Sequence, residues 1–274
     1  MNIEFSTKNF IYVISTIYIV VEYFALLIQK KKYPILESIS VMANIYLKKY
    51  FFHFLFFIGY SEINFSLQRY KLLSIEVNDW ILVIVLIIVV DFAYYWTHRI
   101  MHGINFFWIM HSVHHLPSRL TFLTALQRPI LGHIIPLFSV IAIPVVVLGF
   151  DQKLIFYYMG LNLTYQSWLH NEFVGKLGIL EYVFNTPAQH RIHHSVLSVH
   201  SNKNFGGILC IFDRMFGTYH LDDIECINFG ILPLVKITSP LTPVFYEFTQ
   251  FKKLILNIIK VQGLKNKISA LVKV

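Results

Sequence analysis

Charge is what this sequence lacks most. Only 14% of its 274 residues are Asp, Glu, Lys or Arg, whereas soluble domains carry about 25%. A water-soluble core cannot hide the accompanying 56% of hydrophobic residues, but hydrocarbon solvates them without burial. Acid is scarcer than base, 15 residues against 23, for a formal charge of +8. No basic, polar module accompanies that excess, so the expected partner is an anionic membrane leaflet and not nucleic acid. Cysteine is nearly missing as well. Cys210 and Cys226 cannot build a disulfide framework, and their separation fits no zinc motif. The sequence also shows no repeat, linker or low-complexity tract, and no flavin, haem-attachment or ferredoxin motif.

What is present instead is a series of apolar runs. Lys8 precedes one from Phe10 to Ile28 without a small-residue cleavage site, which predicts a retained span and not a removable signal. A weaker run, Ile45 to Phe65, is interrupted by Lys48, Lys49 and Glu62. The clearest is Trp80 to Trp96, which as a helix reaches about 25 Å, just enough to cross hydrocarbon. Leu131 to Phe150 ends at a "DQK" turn, and Leu154 to Trp168 returns as the second arm of a hairpin.

The lysines set the expected orientation. Lys30, Lys31, Lys32, Lys48 and Lys49 lie between the first two spans, so that loop is expected in the cytosol. The third span then delivers His98 to the cytosolic face, and an out-and-back excursion delivers His170 there too. The expected fold is an all-α, multi-pass transmembrane bundle forming one domain over residues 1–274. Its spans and first histidine clusters occupy about 10–170, and a cytosolic helical cap and tail, 171–274, enclose a histidine-rich dimetal site. The tail stretch "FKKLILNIIK" reads equally as a helix on a membrane surface or as a packing helix.

Histidine is the unusual abundance, and its spacing carries the chemistry. His98 and His102 are i, i+4; His111, His114 and His115 are i, i+3, i+4; His190, His193 and His194 repeat that pattern. On helices each set shares one face. With His170 they make nine imidazoles expected in one pocket, whereas His53, His133, His200 and His220 read as ordinary residues. So many buried nitrogens need partners. Neutral imidazole is a ligand for iron, copper, nickel and zinc, and one ion uses three or four of them, so nine point to two metals. Closed, thiolate-rich structural zinc fits poorly, and a pair of open iron ions suits dioxygen chemistry, although spacing alone does not separate iron from zinc.

Ligating histidines need an acceptor on their second nitrogen. Asp91, two turns before His98, and Glu172, just past His170, are the acids assigned to the catalytic site in that role. Asp91 reads equally well as a partner in a helix–helix hydrogen bond.

The stretches "DFAYYWTHRIMH", "HSVHH", "TALQRP", "QSWLHNE", "FNTPAQHRIHH" and "NKNFGGILCIFDRMFGTY" together resemble the fatty acid hydroxylase and sterol desaturase superfamily, nearest its alkylglycerol monooxygenase-like branch. The resemblance covers roughly Asp91 to Tyr219. It implies two iron ions on the same nine histidines, dioxygen as co-substrate, and an external electron donor or redox partner. The implied activity is hydroxylation, desaturation or ether cleavage of a membrane lipid. Gly103, Gln189 and Asn202 depart from the pattern but spare the ligands. Rival classes at this point are a membrane metal carrier or sensor, a bis-histidine haem protein, and a non-catalytic homologue.

Overall fold

The computed structural model describes residues 3–48, 72–75, 80–131, 148–221 and 228–272. Every regular element among them is helical, and pairing between extended segments is limited to the isolated bridges Phe184 to Leu209 and Ser195 to Phe229. Helix α1 runs over Ile3–Ile28 and α2 over residues 35–48; α3 is Trp80–Gly103 and α4 Asn105–Ser112. After them come α5, Gln152–Leu169; α6, Pro187–His193; α7, Ile211–Met215; α8, Thr242–Lys260; and α9, Leu264–Val272.

The expected first, third and fifth spans fall within α1, α3 and α5. Most of the second, Ile45 to Phe65, and most of the fourth, Leu131 to Phe150, lie outside the described residues. Among those described, α3 is the one helix long and apolar enough to cross a membrane, and α1 contains a shorter apolar stretch, Ser15–Ile28.

Helix α3 is the axis of the fold. Its buried positions Leu86, Val90, Tyr94, His98 and His102 recur every fourth residue, joined by Asp91 and Tyr95 on the same side. That stripe changes from aliphatic to polar toward the C-terminal end, while Ile84, Ile88, Phe92, Trp96 and Ile100 face outward. At the apolar end Leu86 and Val90 pack with Phe150, Ile155 and Met159, which joins α3 to α5. Asp151 starts α5 by accepting the N–H groups of Lys153 and Leu154 at 2.8 and 3.3 Å, satisfying two donors that the first turn leaves free.

Two breaks shape the polar end. Ile104 is extended (φ −122°, ψ 118°), so α3 stops and α4 starts afresh beside it. Helix α4 then ends at Ser112, and His114 and His115 follow in tight turns closed by i to i−3 hydrogen bonds to His111 and Ser112. Pro117 keeps the helix from resuming, because the residue before a proline, here Leu116, is driven out of helical conformation. The expectation of one continuous helical face for this cluster is therefore corrected. Helix α6 starts cleanly: Thr186 caps it and Pro187 occupies the first turn.

The tail packs on one side and leaves the other bare. Pro243, Glu247 and Leu254 of α8 are buried, and Glu247 accepts the N–H groups of Ile130 and Leu131 at 2.7 and 2.9 Å. Phe245, Phe248, Ile255 and Ile259 remain exposed. The packing reading of the tail is the one observed for its inner face.

Candidate metal centre

All nine histidines singled out by spacing are buried and come together at the polar end of α3. They fall into two groups. His98, His102, His111, His115 and His193 form one; His114, His170, His190 and His194 form the other, and within each group one nitrogen per ring lies within 4.8 Å of all the rest. Neither group follows the chain. "HSVHH" gives His111 and His115 to the first group and His114 to the second, and "HRIHH" gives His193 to the first and His190 and His194 to the second. Adjacent residues point in directions roughly a third of a helical turn apart, so an HxxHH motif reaches two neighbouring centres at once.

Backbone carbonyls set the ring orientations. The Nδ1 of His98 lies 2.9 Å from the Phe205 oxygen, that of His114 3.2 Å from Gln127, that of His170 2.7 Å from Gln166, and that of His193 2.8 Å from Lys203. A carbonyl only accepts, so each of these Nδ1 atoms carries the proton and each Nε2 presents a lone pair. Those lone pairs converge: Nε2 of His170 is 3.0 Å from Nε2 of His114 and 3.0 Å from Nε2 of His190, and His98 and His111 meet likewise at 3.0 Å. Neither His114 nor His170, each protonated on Nδ1, can donate across that gap. The Nε2 atoms of His102, His115, His193 and His194 are buried with no hydrogen-bond partner. Orphaned acceptors aimed at one another are costly without a cation, so the residues fit two metal ions.

Protonation agrees. Burial, reinforced by neighbouring imidazoles, holds His111, His114, His115, His190 and His194 well below the ordinary histidine range. Burial takes His170 down to about 3 and His193 to about 4. Neutral imidazole, the ligand form, is therefore the state at any physiological pH.

The two acids sit elsewhere than expected. Asp91 is fully buried but meets no imidazole: its Oδ1 accepts from Asn162 Nδ2 at 2.6 Å and Ile208 N at 2.8 Å, and its Oδ2 from Leu209 N at 2.9 Å. The helix–helix alternative is the one observed, with a loop added. Glu172 accepts from Lys31 Nζ at 3.0 Å, Arg119 Nη1 at 2.9 Å and Leu120 N at 3.1 Å, and none of these is a histidine. Carbonyls have taken the role foreseen for carboxylates. They are invisible to residue-type reasoning, because every residue has one.

Sequence reasoning also passed over the groups that brace the site. Asn162 donates to Asp91, Gln166 donates to Asn162, and Tyr94 donates to Gln166 at 2.7 Å with its hydroxyl 3.4 Å from His98 Nδ1. A Cβ at Gly207 would lie 2.5 Å from Asn162 Nδ2 and 2.6 Å from Asp91 Oδ1. Paired glycines in "NFGG" were the available signal, since they mark close backbone approach. His200 and His220 pack together, ring centroids 5.4 Å apart, and join neither group. Cys210 is buried and its thiol donates to the Glu181 carbonyl at 3.3 Å. His53, His133 and Cys226 lie outside the described residues.

Residues 83–218 match the family model described as fatty acid hydroxylase. The chain belongs to that family. The nine clustered histidines of this fatty acid hydroxylase family member all fall inside the matched segment. It is 33% identical to human alkylglycerol monooxygenase over 158 residues, 58% of this chain and 35% of that protein. It is 35% identical to the Danio rerio alkylglycerol monooxygenase over 184 residues, 67% of this chain and 40% of the relative. A Rhizobium tropici ornithine lipid hydroxylase, OlsE, is 30% identical over 143 residues, 49% of this chain and 40% of that protein. The chain thus spans about two fifths or less of the length of these relatives. No solved structure matches it.

Proposed function

We propose that the protein is a membrane-bound di-iron monooxygenase that hydroxylates a C–H bond of a lipid, with dioxygen as co-substrate and electrons from a separate donor. The carrying observation is the pair of histidine groups, five and four, with lone pairs converging and no thiolate among them. His98, His102, His111, His115 and His193 would hold one ion, and His114, His170, His190 and His194 the other. When bound, a pair of ferrous ions supplies what side chains lack, the reductive activation of dioxygen. The protein's own contribution is to keep nine imidazoles neutral, to fix four of them through carbonyls, and to bury the site against bulk water.

Membrane residence is part of this reading. Helix α3 has the inverted distribution of a lipid-bathed helix, with Asp91 and His98 inward and Ile84, Ile88, Phe92 and Trp96 outward. The lysines before α2 favour a multi-pass topology with the metals on the cytosolic side. A lipid chain would then reach the metals laterally, along the apolar faces of the spans. The alkylglycerol monooxygenases and the ornithine lipid hydroxylase among its relatives support a lipid substrate. A metal carrier would spread its ligands along a path, whereas these gather at one end of α3.

The test is dioxygen uptake by iron-loaded protein given a chemical reductant, with lipid extracts compared by mass between cells with and without the gene. Gain of one oxygen atom in a lipid is the expected result, and loss of a hydrogen pair would mark desaturation instead. Protein that carries only tightly held zinc and consumes no dioxygen would contradict the proposal.

A further inference from the structure

Two ligands of the five-histidine group take their orientation from one short strap. Within residues 203–206 the Lys203 carbonyl accepts from His193 Nδ1 at 2.8 Å and the Phe205 carbonyl from His98 Nδ1 at 2.9 Å. The four-histidine group uses other carbonyls, Gln127 for His114 and Gln166 for His170. We propose that Asp213 is a positioning residue for one ion only, holding the 203–206 strap so that His98 and His193 present their Nε2 atoms to the five-histidine centre.

Asp213, on α7, is 1% exposed. Its carboxylate faces the strap's backbone: Oδ1 accepts from Phe205 N at 2.7 Å and Oδ2 from Gly206 N at 2.7 Å. The Thr218 hydroxyl donates to Oδ1 at 2.7 Å, Tyr95 lies 3.0 Å from that hydroxyl, and Arg99 donates to Tyr95 at 2.9 Å, so the carboxylate is tied back to α3. With the Phe205 N–H fixed on one side and the Gly206 N–H on the other, the intervening Phe205 carbonyl has one direction left, toward His98. The close fit admits no larger residue. A Cβ at Gly206 would lie 2.2 Å from the Leu209 oxygen and 2.9 Å from Asp213 Oδ2. Asn204, at φ 55° in the left-handed region, locks the other end by donating to the Gln189 and His220 carbonyls at 2.9 and 2.7 Å.

Loss of the acceptor on a ligand's second nitrogen frees the ring and lowers its basicity, which costs about 10- to 100-fold in metal affinity. The supports of the two groups share no carbonyl, so that loss falls on one ion. This inference rests on the dimetal reading above. The test uses the full chain, reconstituted with ferrous iron without oxygen, passed over a chelator and counted for metal, with cobalt(II) absorption as a second readout.

Wild type is expected to keep two ions and Asp213→Asn one, while the thermal unfolding of its metal-free form remains cooperative. His114→Ala is expected to keep one ion with a different cobalt(II) spectrum, because the surviving centre is the other one. Thr218→Val, which removes one bond to the carboxylate, is expected to release the five-histidine ion faster, and it carries the test if Asp213→Asn does not fold. Retention of both ions at wild-type affinity by the Asp213 and Thr218 variants overturns the proposal, as does parallel loss of both ions. Failure of wild type itself to bind two ions would instead overturn the dimetal reading.

Discussion

His114 and His115 are neighbours in the chain, yet their imidazoles fall in different histidine groups. His114 meets His170 at 3.0 Å between Nε2 atoms, whereas the unpartnered Nε2 of His115 belongs with His102 and His193. Exchanging either for alanine should therefore remove an ion from a different place. Each variant is expected to bind one ion where wild type binds two, measured as metal per chain after chelation. Unchanged loading in His114→Ala would strike that residue from the ligand set.

Asp91 ties α3 to α5 and to the 208–209 backbone through three donors at 2.6 to 2.9 Å. Asp91→Asn turns one acceptor into a donor that faces another donor. We expect a loss of about 2 kcal/mol, the range for buried hydrogen bonds to a charged acceptor. Gly207→Ala, whose Cβ would press on Asp91 and Asn162, is expected to destabilise by a similar amount. Thermal unfolding in detergent reads both.

Glu172 separates stability from metal binding. Its side chain is buried, with Lys31 and Arg119 as partly exposed partners at 3.0 and 2.9 Å. Glu172→Gln should cost about 1 kcal/mol, since solvent screens both cations. Metal affinity should stay at the wild-type value, because no histidine depends on this carboxylate. A tenfold fall in affinity would return Glu172 to the role its sequence position suggests.

Acid should unfold the metal-free protein. His170 and His193, held near 3 and near 4, lie below the ordinary value of 6.5, so the unfolded chain takes up protons that the folded chain refuses. Stability is complete above pH 6.5 and falls as pH drops from there to about 4. At pH 5 each such imidazole costs on the order of 2 kcal/mol, and folds are worth only about 5–15 kcal/mol. Unfolding midpoints of metal-free protein should thus fall steeply between pH 7 and pH 5. A flat profile would mean that the rings are not held neutral.

Much of the centre was legible in the sequence because ligands must be particular residue types at particular spacings. His98 with His102, and His190 with His193 and His194, announce themselves in that way. The division into five and four was not legible, because it depends on how α3, α4 and α6 are set against one another and not on spacing within any one motif. The acceptors were not legible either, since Phe205 and Lys203 act through carbonyls that any residue would supply. Asp91 was visible as a polar group on an apolar helix, but its partners, the N–H groups of Ile208 and Leu209, come from more than a hundred residues away. Helix α3 was evident from hydropathy alone, and its inward face only from the four-residue recurrence of Leu86, Val90, Tyr94, His98 and His102.

The most direct measurement is an anaerobic titration of metal-free protein with ferrous iron, following free iron at equilibrium. Two groups of buried, neutral imidazoles predict saturation at two ions per chain. Saturation at a single ion, or no binding tight enough to survive a chelator, would contradict the dimetal centre.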